Sequence, residues 1–279
     1  MIKKCIQPFL TITILIITVI GLIVGTVSAE TSHFINDKEF KMKKDYVKLL
    51  PGDEKKELID NLKLFQKDDS RVKDIIKHFD DLPEAMQYMV GKNPMVIGLA
   101  LDYINKEQIE FELGESIDLK RNVPYYIQWD RRWGNKMYGP EEIALNGCGP
   151  TSLAMVFSAL KEDPNITPLS IVKKATKNDV TEEGTVWIFM ETVGKEFDIK
   201  TRKLPFDDEK MKKALDNGEL LVATINPGEF IGFPHIFAII GYNEDGYIVN
   251  DPVLYENTLE TWTVDELEEI QAIWAYKAK

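Results

Sequence analysis

Residues 146–160 read Asn146-Gly147-Cys148-Gly149-Pro150-Thr151-Ser152-Leu153-Ala154-Met155-Val156-Phe157-Ser158-Ala159-Leu160. Pro150 suits the first turn of a helix, because its missing N–H would be unpaired there in any case. The residues that follow place apolar side chains on one helical face, Leu153, Val156, Phe157 and Leu160. The segment therefore predicts a helix that buries one face and has its N-terminus at Cys148.

The position of Cys148 favours a chemical role. Unpaired backbone N–H groups and the positive end of the helix dipole stabilise a thiolate at a helix N-terminus. Flanking glycines allow a substrate backbone to approach closely. A buried, inert cysteine is the commoner case for this residue type. A structural cysteine, however, would more naturally fall within the apolar stripe.

A thiol nucleophile needs a base, and the C-terminal half of the chain contains one histidine, His235. It opens an apolar run that ends at Tyr242, and a second run, 247–250, leads to Asp251. The short connection 243–246 ends in glycine, which predicts a hairpin. An acid beside the imidazole would hold one tautomer and stabilise its cation. The alternatives are a structural histidine and a turn residue before Pro252.

The hairpin allows a geometric check of this pair. A three-residue loop at 244–246 would place Asp251 opposite Ile239, on the same face as His235. The separation along the strand would then be four residues, or about 13 Å. The pair therefore requires a bulge or a local divergence of the two strands.

The surrounding pattern predicts an α+β fold, with the cysteine helix packed on an antiparallel sheet. Apolar runs predict strands at 220–225, 235–242, 247–250 and 272–276. Residues 41–113 show helical spacing interrupted by proline and glycine, which indicates about four short helices. The predicted organisation is a helical region, 41–113, followed by an α+β domain, 114–279.

The N-terminal 29 residues have the pattern of a secretory signal. Two lysines precede an apolar run at 9–27, and Val27-Ser28-Ala29 offers small residues for cleavage. Without cleavage, residues 9–27 would tether the chain to a membrane. Residues 30–40 are polar and indicate a linker. With or without cleavage, the pattern predicts a secreted or extracytoplasmic protein. Cleavage after residue 29 would also remove Cys5, which leaves Cys148 as the one cysteine of the mature sequence.

Composition excludes several classes of function. The net charge of −12 and pI near 4.9 provide no basic surplus for nucleic acid. The cysteine and histidines lack the spacing of metal ligands, and no glycine-rich phosphate loop is present. We therefore expect neither a metal nor another cofactor. The excess of acidic over basic side chains indicates either a preference for cationic substrates or ordinary solubility.

Several segments resemble the C39-like cysteine peptidase family. They are Val123-Pro124-Tyr125-Tyr126-Ile127-Gln128-Trp129-Asp130-Arg131-Arg132-Trp133-Gly134, Tyr138-Gly139, Gly147–Met155, Gly184-Thr185, the His235 strand with Gly241-Tyr242, and Asn250-Asp251-Pro252. The resemblance covers about residues 121–279.

The resemblance implies a papain-like fold in this part of the chain and assigns four roles. Cys148 is the nucleophile, His235 is the general base and later acid, and Asp251 orients the imidazole. Gln128 helps to bind the oxyanion. The implied function is an exported cysteine peptidase or amidase that acts on a peptide or protein through a thioester.

Two alternatives remain at the level of sequence. The same triad would also support acyl transfer to an amine. A non-catalytic peptide or cell-wall binding module on a papain-like scaffold is the other alternative. It is suggested by Pro234, because the family usually has glycine or another small residue before its histidine and an aromatic residue after it. The oligomeric state is not predicted.

Overall fold

A computed structural model describes residues 54–107, 109–177 and 187–279, all within one compact unit. The signal, the linker, the start of the helical region and Gly184-Thr185 lie outside the described residues. The α-helices are α1 Lys55–Phe65, α2 Val72–Lys77, α3 Glu84–Lys92, α4 Ile97–Asn105, α5 Ile143–Asn146, α6 Cys148–Lys161, α7 Pro168–Lys177, α8 Trp187–Thr192, α9 Asp208–Asp216 and α10 Tyr255–Leu259. None of these helices is long and apolar enough to span a bilayer, a finding that covers the described residues only.

The strands form a short hairpin and one larger antiparallel sheet. The hairpin is β1 Met137–Tyr138 with β2 Glu141–Glu142. The strands of the sheet are β3 Ile199–Leu204, β4 Leu220–Ile225, β5 His235–Tyr242, β6 Tyr247–Asn250, β7 Thr261–Trp262 and β8 Ile270–Ala278. Their order is β3-β8-β4-β5-β6-β7. The fold is therefore α+β, as the sequence predicted.

The two faces of the sheet belong to two different cores. Side chains alternate along the central strands, so successive residues enter opposite layers. One layer packs against α6 and the helical region and receives Val222, Ala238, Trp274 and Tyr276. The other packs against α9 and receives Leu221, Ala223, Phe237, Ile239, Ile273 and Ala275. The cysteine helix is thereby held against β4 and β5.

The helical region shares a continuous core with the α+β part of the chain. Two contacts fix it there. Arg131 donates two hydrogen bonds to the buried Asp102 of α4, at 2.7 and 2.6 Å. Gly134 lies so close to α4 that an added Cβ would meet Leu99 at 2.9 Å. The helical region is thus packed as part of the fold.

We expect Asp102→Asn to lower the free energy of unfolding by about 1–3 kcal/mol. The change removes the charge that compensates the partly buried guanidinium of Arg131. Denaturant titration of the full chain measures the loss. Asp60→Asn is the control, because the pair of Asp60 with Lys63 is exposed and should contribute nothing measurable. Equal stability of the two variants would contradict the prediction.

The structure corrects three details of the sequence analysis. The helical segment ends at Asn105 instead of near residue 113, because Lys106 adopts a left-handed conformation with φ of 56°. The sheet gains two strands, β7 and the edge strand β3, whose Lys- and Arg-rich sequence buries only Ile199 and Leu204. The β1–β2 hairpin and helices α5, α7, α8, α9 and α10 were not predicted. The four predicted strands all occur.

Candidate active site

Cys148 is the first residue of α6, as the sequence predicted. Its thiol forms no disulfide and is half-buried, so it is neither fully enclosed nor fully exposed. Four residues along the helix, the hydroxyl of Ser152 donates to the carbonyl of Ile236 at 3.2 Å. This bond fixes the cysteine helix to the strand that carries His235.

His235 and Asp251 form a buried pair. The imidazole Nε2 lies 2.9 Å from Oδ1 of Asp251, and both side chains are almost fully enclosed. The side chain of Cys148 also interacts with the imidazole and helps to raise its pKa. Because Nε2 faces the carboxylate, Nδ1 is the nitrogen left for the thiol. The structure therefore brings the three side chains together, with the imidazole between the thiol and the carboxylate.

The surroundings of His235 favour its cationic form. Burial by itself lowers the pKa of this imidazole. The charge of Asp251, the hydrogen bond to it and the contact with Cys148 together outweigh burial and raise the pKa to about 10. The ring is therefore protonated at neutral pH and carries the proton that a leaving group needs.

A β-bulge brings Asp251 within reach of His235. The loop has four residues, because Tyr242 pairs with Tyr247, and the register shifts again between Ile239 and Gly241. Beyond the bulge Ala238 pairs with Asn250, so Asp251 follows opposite Phe237 instead of Ile239. The separation from His235 falls from four strand residues to two, about 7 Å, which the side chains span.

Asp251 is held by donors that the sequence analysis did not identify. Its Oδ1 accepts from the backbone N–H groups of Val253 and Leu254 at 2.8 and 3.0 Å. Its Oδ2 accepts from Nδ2 of the buried Asn257 at 2.9 Å. These bonds aim the carboxylate at the imidazole. No local motif marks Asn257, because α10 returns it to the site only through the tertiary fold.

Gln128 is buried at the edge of the same site. Its Nε2 donates to the carbonyl of Ala144 at 2.7 Å, which distinguishes the amide nitrogen from the oxygen. Ala144 belongs to α5, directly before Cys148. The buried Oε1 finds no hydrogen-bond partner among the described residues. One N–H of the amide is thus committed, and the second is available to an anion.

Pro234 differs from the small residue that the family usually has before its histidine, but it does not disturb the buried pair of His235 and Asp251. Pro234 is exposed and leads directly into β5, and the contact of His235 with Asp251 is intact. Phe233 stands over the imidazole edge to face, with ring centroids 5.8 Å apart. The proline therefore shapes the entry to the strand without displacing the imidazole.

Gly147 sets the position of the cysteine. An added Cβ would lie 2.4 Å from the carbonyl oxygen of Ile143 and 2.5 Å from its Cγ2, so backbone would have to move. We expect Gly147→Ala to reduce kcat/KM about 100-fold, since displacements of about 1 Å have effects of this size. Hydrolysis assays test this. Gly232→Ala, where an added Cβ meets nothing within 4 Å, is the control and should retain activity.

No cluster of three or more histidine, cysteine or acidic residues that would suit a metal occurs in the part of the chain that the structure describes.

Comparison with known proteins places this site in a family. The model of the Peptidase_C39 like family matches residues 120–279, more than half of the chain. The chain belongs to this C39-like peptidase family. The match contains Gln128, Cys148, His235 and Asp251, whereas helices α1 to α4 precede it.

A crystal structure of a Bacillus anthracis protein described as a C39-like peptidase is 15% identical, with a TM-score of 0.35. The match covers 57% of this chain and 96% of the Bacillus anthracis protein. No curated protein is detectably similar in sequence.

Proposed function

We propose that this member of the C39-like peptidase family is a cysteine peptidase or amidase with a Cys148, His235 and Asp251 triad. The observation that carries the proposal is the position of the His235 imidazole, which lies 2.9 Å from the Asp251 carboxylate and interacts with the side chain of Cys148. A nucleophile, a base and a group that orients the base are the components of covalent acyl transfer.

The reaction begins when the sulfur of Cys148 attacks the carbonyl carbon of the substrate. His235 accepts the thiol proton, and Asp251 stabilises the resulting imidazolium. The bond from carbon to nitrogen then breaks, and the imidazolium gives its proton to the departing amine. This leaves a thioester on Cys148. Water, deprotonated by His235, attacks the thioester and releases the acid and the thiol.

The negative charge that develops on the carbonyl oxygen requires donors. The uncommitted N–H of Gln128 Nε2 is one, and the backbone N–H of Cys148 at the start of α6 is the other. The carbonyl of Ala144 holds the Gln128 amide in place. We propose that Gln128 acts on the oxyanion, which is the role that the resemblance implies.

The proposed location rests on sequence alone. Residues 1–29 have the pattern of an export signal, and residues 9–27 would tether an uncleaved chain to the membrane. We therefore propose an extracytoplasmic enzyme whose substrate is a peptide or protein. No specific observation favours acyl transfer. A purely binding role was suggested by Pro234, but the contact of His235 with Asp251 is intact beside this proline.

Trapping of the intermediate tests the proposal. The full chain is mixed with a peptide ester, quenched in acid and digested, and the masses of the fragments are measured. We expect an acyl adduct on the fragment that contains Cys148, together with release of the free acid. An added amine that appears in the product would indicate acyl transfer. The absence of an adduct and of any turnover would contradict the proposal.

A further inference from the structure

A cleft of about 780 Å³ lies beside the candidate active site, within the usual size range of ligand sites. One wall comes from helix α3 and the residues after it, including Glu84, Tyr88 and Met89. The opposite wall comes from the α+β part of the chain, including Trp129 and Val253. The family match begins at residue 120, so α3 is an addition to the family domain.

The cleft borders the imidazole side of the site. Gln128 and Ala144 line it where the oxyanion donors lie. Phe233 also lines it and touches the ring of His235 edge to face. Val253, two residues after Asp251, completes this side. Since the imidazolium must protonate the departing amine, the leaving-group half of the substrate lies on this side of the thiol.

From this placement we infer that α3 is a specificity element, which selects the part of a peptide that follows the scissile bond. The inference rests on the proposed peptidase function and deepens it. The substrate class is a peptide with a large apolar side chain after the scissile bond and a basic residue next to it.

The apolar preference follows from the cleft walls. Met89, Val253 and Leu254 are partly exposed and offer apolar surface inside the cleft. Tyr88 and Phe233 are also part of the lining and are 43% and 42% exposed. Exposed aromatic rings that face a shared cleft are unusual on a solvated surface and favour burial of an apolar partner.

The basic preference follows from the charges around the cleft. Glu84, Glu141 and Glu142 all line it. Among the described residues that line the cleft, Lys92 is the only cationic one; it donates to the Tyr88 hydroxyl at 2.7 Å and lies 4.2 Å from that ring. The lining therefore has an excess of carboxylates, which attract a lysine or arginine of the substrate.

Both walls are held before substrate arrives. Helix α3 packs so tightly on α1 that a Cβ at Gly91 would meet Leu58 at 2.7 Å. On the opposite wall, the indole N–H of Trp129 donates to the carbonyl of Val253 at 3.1 Å. A preformed cleft loses little conformational entropy on binding, so it discriminates between substrates effectively.

A paired-substrate assay on the full chain tests the inference. Peptides share one acyl half and carry Phe-Lys, Ser-Lys, Phe-Glu or Ser-Glu after the scissile bond. We expect wild-type kcat/KM for Phe-Lys to exceed that for Ser-Glu by about 10-fold or more. Tyr88→Ala should reduce the preference for Phe over Ser several-fold. Leu64→Ala is the matched control, since Leu64 is equally exposed, at 43%, and lies outside the cleft.

Separate variants test the preference for a basic residue. Glu84→Gln combined with Glu141→Gln should reduce the preference for Lys over Glu several-fold, whereas Glu244→Gln combined with Glu260→Gln should leave it unchanged. Hydrolysis without preference, or a preference that the Tyr88 and Glu84 variants leave intact, would overturn this inference alone. Absence of hydrolysis for every peptide, without an acyl adduct on Cys148, would overturn the proposed function as well.

Discussion

Cys148→Ala is expected to reduce hydrolysis by about 10⁴-fold or more. Without the sulfur no thioester forms. The remaining hydrolysis would come from direct attack of water, assisted by the oxyanion donors and His235. The half-buried thiol packs beside the core without belonging to it, so the fold should survive. Measurement of kcat/KM with a peptide substrate determines the loss.

The control for this substitution is Cys5→Ala, which removes the other cysteine of the chain. It should leave hydrolysis at the wild-type rate. Circular dichroism and the unfolding midpoint of Cys148→Ala verify that the loss is chemical. Hydrolysis by Cys148→Ala at a rate near that of Cys5→Ala would exclude Cys148 as the nucleophile.

Asp251→Asn is expected to move the alkaline limit of activity to lower pH. The pKa of His235 is raised to about 10, so the imidazolium that protonates the leaving amine persists up to that pH and is lost above it. Wild-type kcat/KM should therefore fall near pH 10. Burial lowers the pKa of His235, and the charge of Asp251 opposes that effect. Without this charge, the pKa and with it the alkaline limit of activity should fall by about 1–3 units.

The pH at which activity falls is a more specific readout than the rate itself. The Asn257 amide donates to Oδ2 of Asp251, and a substituted asparagine would place a second donor there, which lowers stability whatever the chemistry. Asp245→Asn is the control, because Asp245 is an exposed residue in the turn of the same hairpin. An unchanged alkaline limit in Asp251→Asn would show that this carboxylate does not set the ionisation of His235.

The sequence predicted the parts of the fold that have local signals. Apolar runs located β4, β5 and β6 at their observed bounds, and Pro150 with the apolar stripe located α6. It missed β3, because an edge strand needs only Ile199 and Leu204 to be apolar and can carry lysine and arginine elsewhere.

The sequence predicted which residues would form the candidate site, but not how the fold brings them together. It proposed Cys148, His235 and Asp251, but the bulge between Ile239 and Gly241 has no sequence signal that distinguishes it from a regular ladder. The support that Asn257 gives to the carboxylate likewise depends on tertiary contacts. The same applies to α3, whose place beside the cleft follows from packing of the helical region against the family domain.

The central claim is that His235 activates the sulfur of Cys148, and the rate of alkylation measures this directly. Iodoacetamide is added near neutral pH, and the Cys148 fragment is quantified by mass spectrometry against N-acetylcysteine in the same tube. We expect wild-type Cys148 to react faster than the reference thiol and His235→Ala to lose that advantage. Equal rates for wild type, His235→Ala and the reference thiol would contradict the claim.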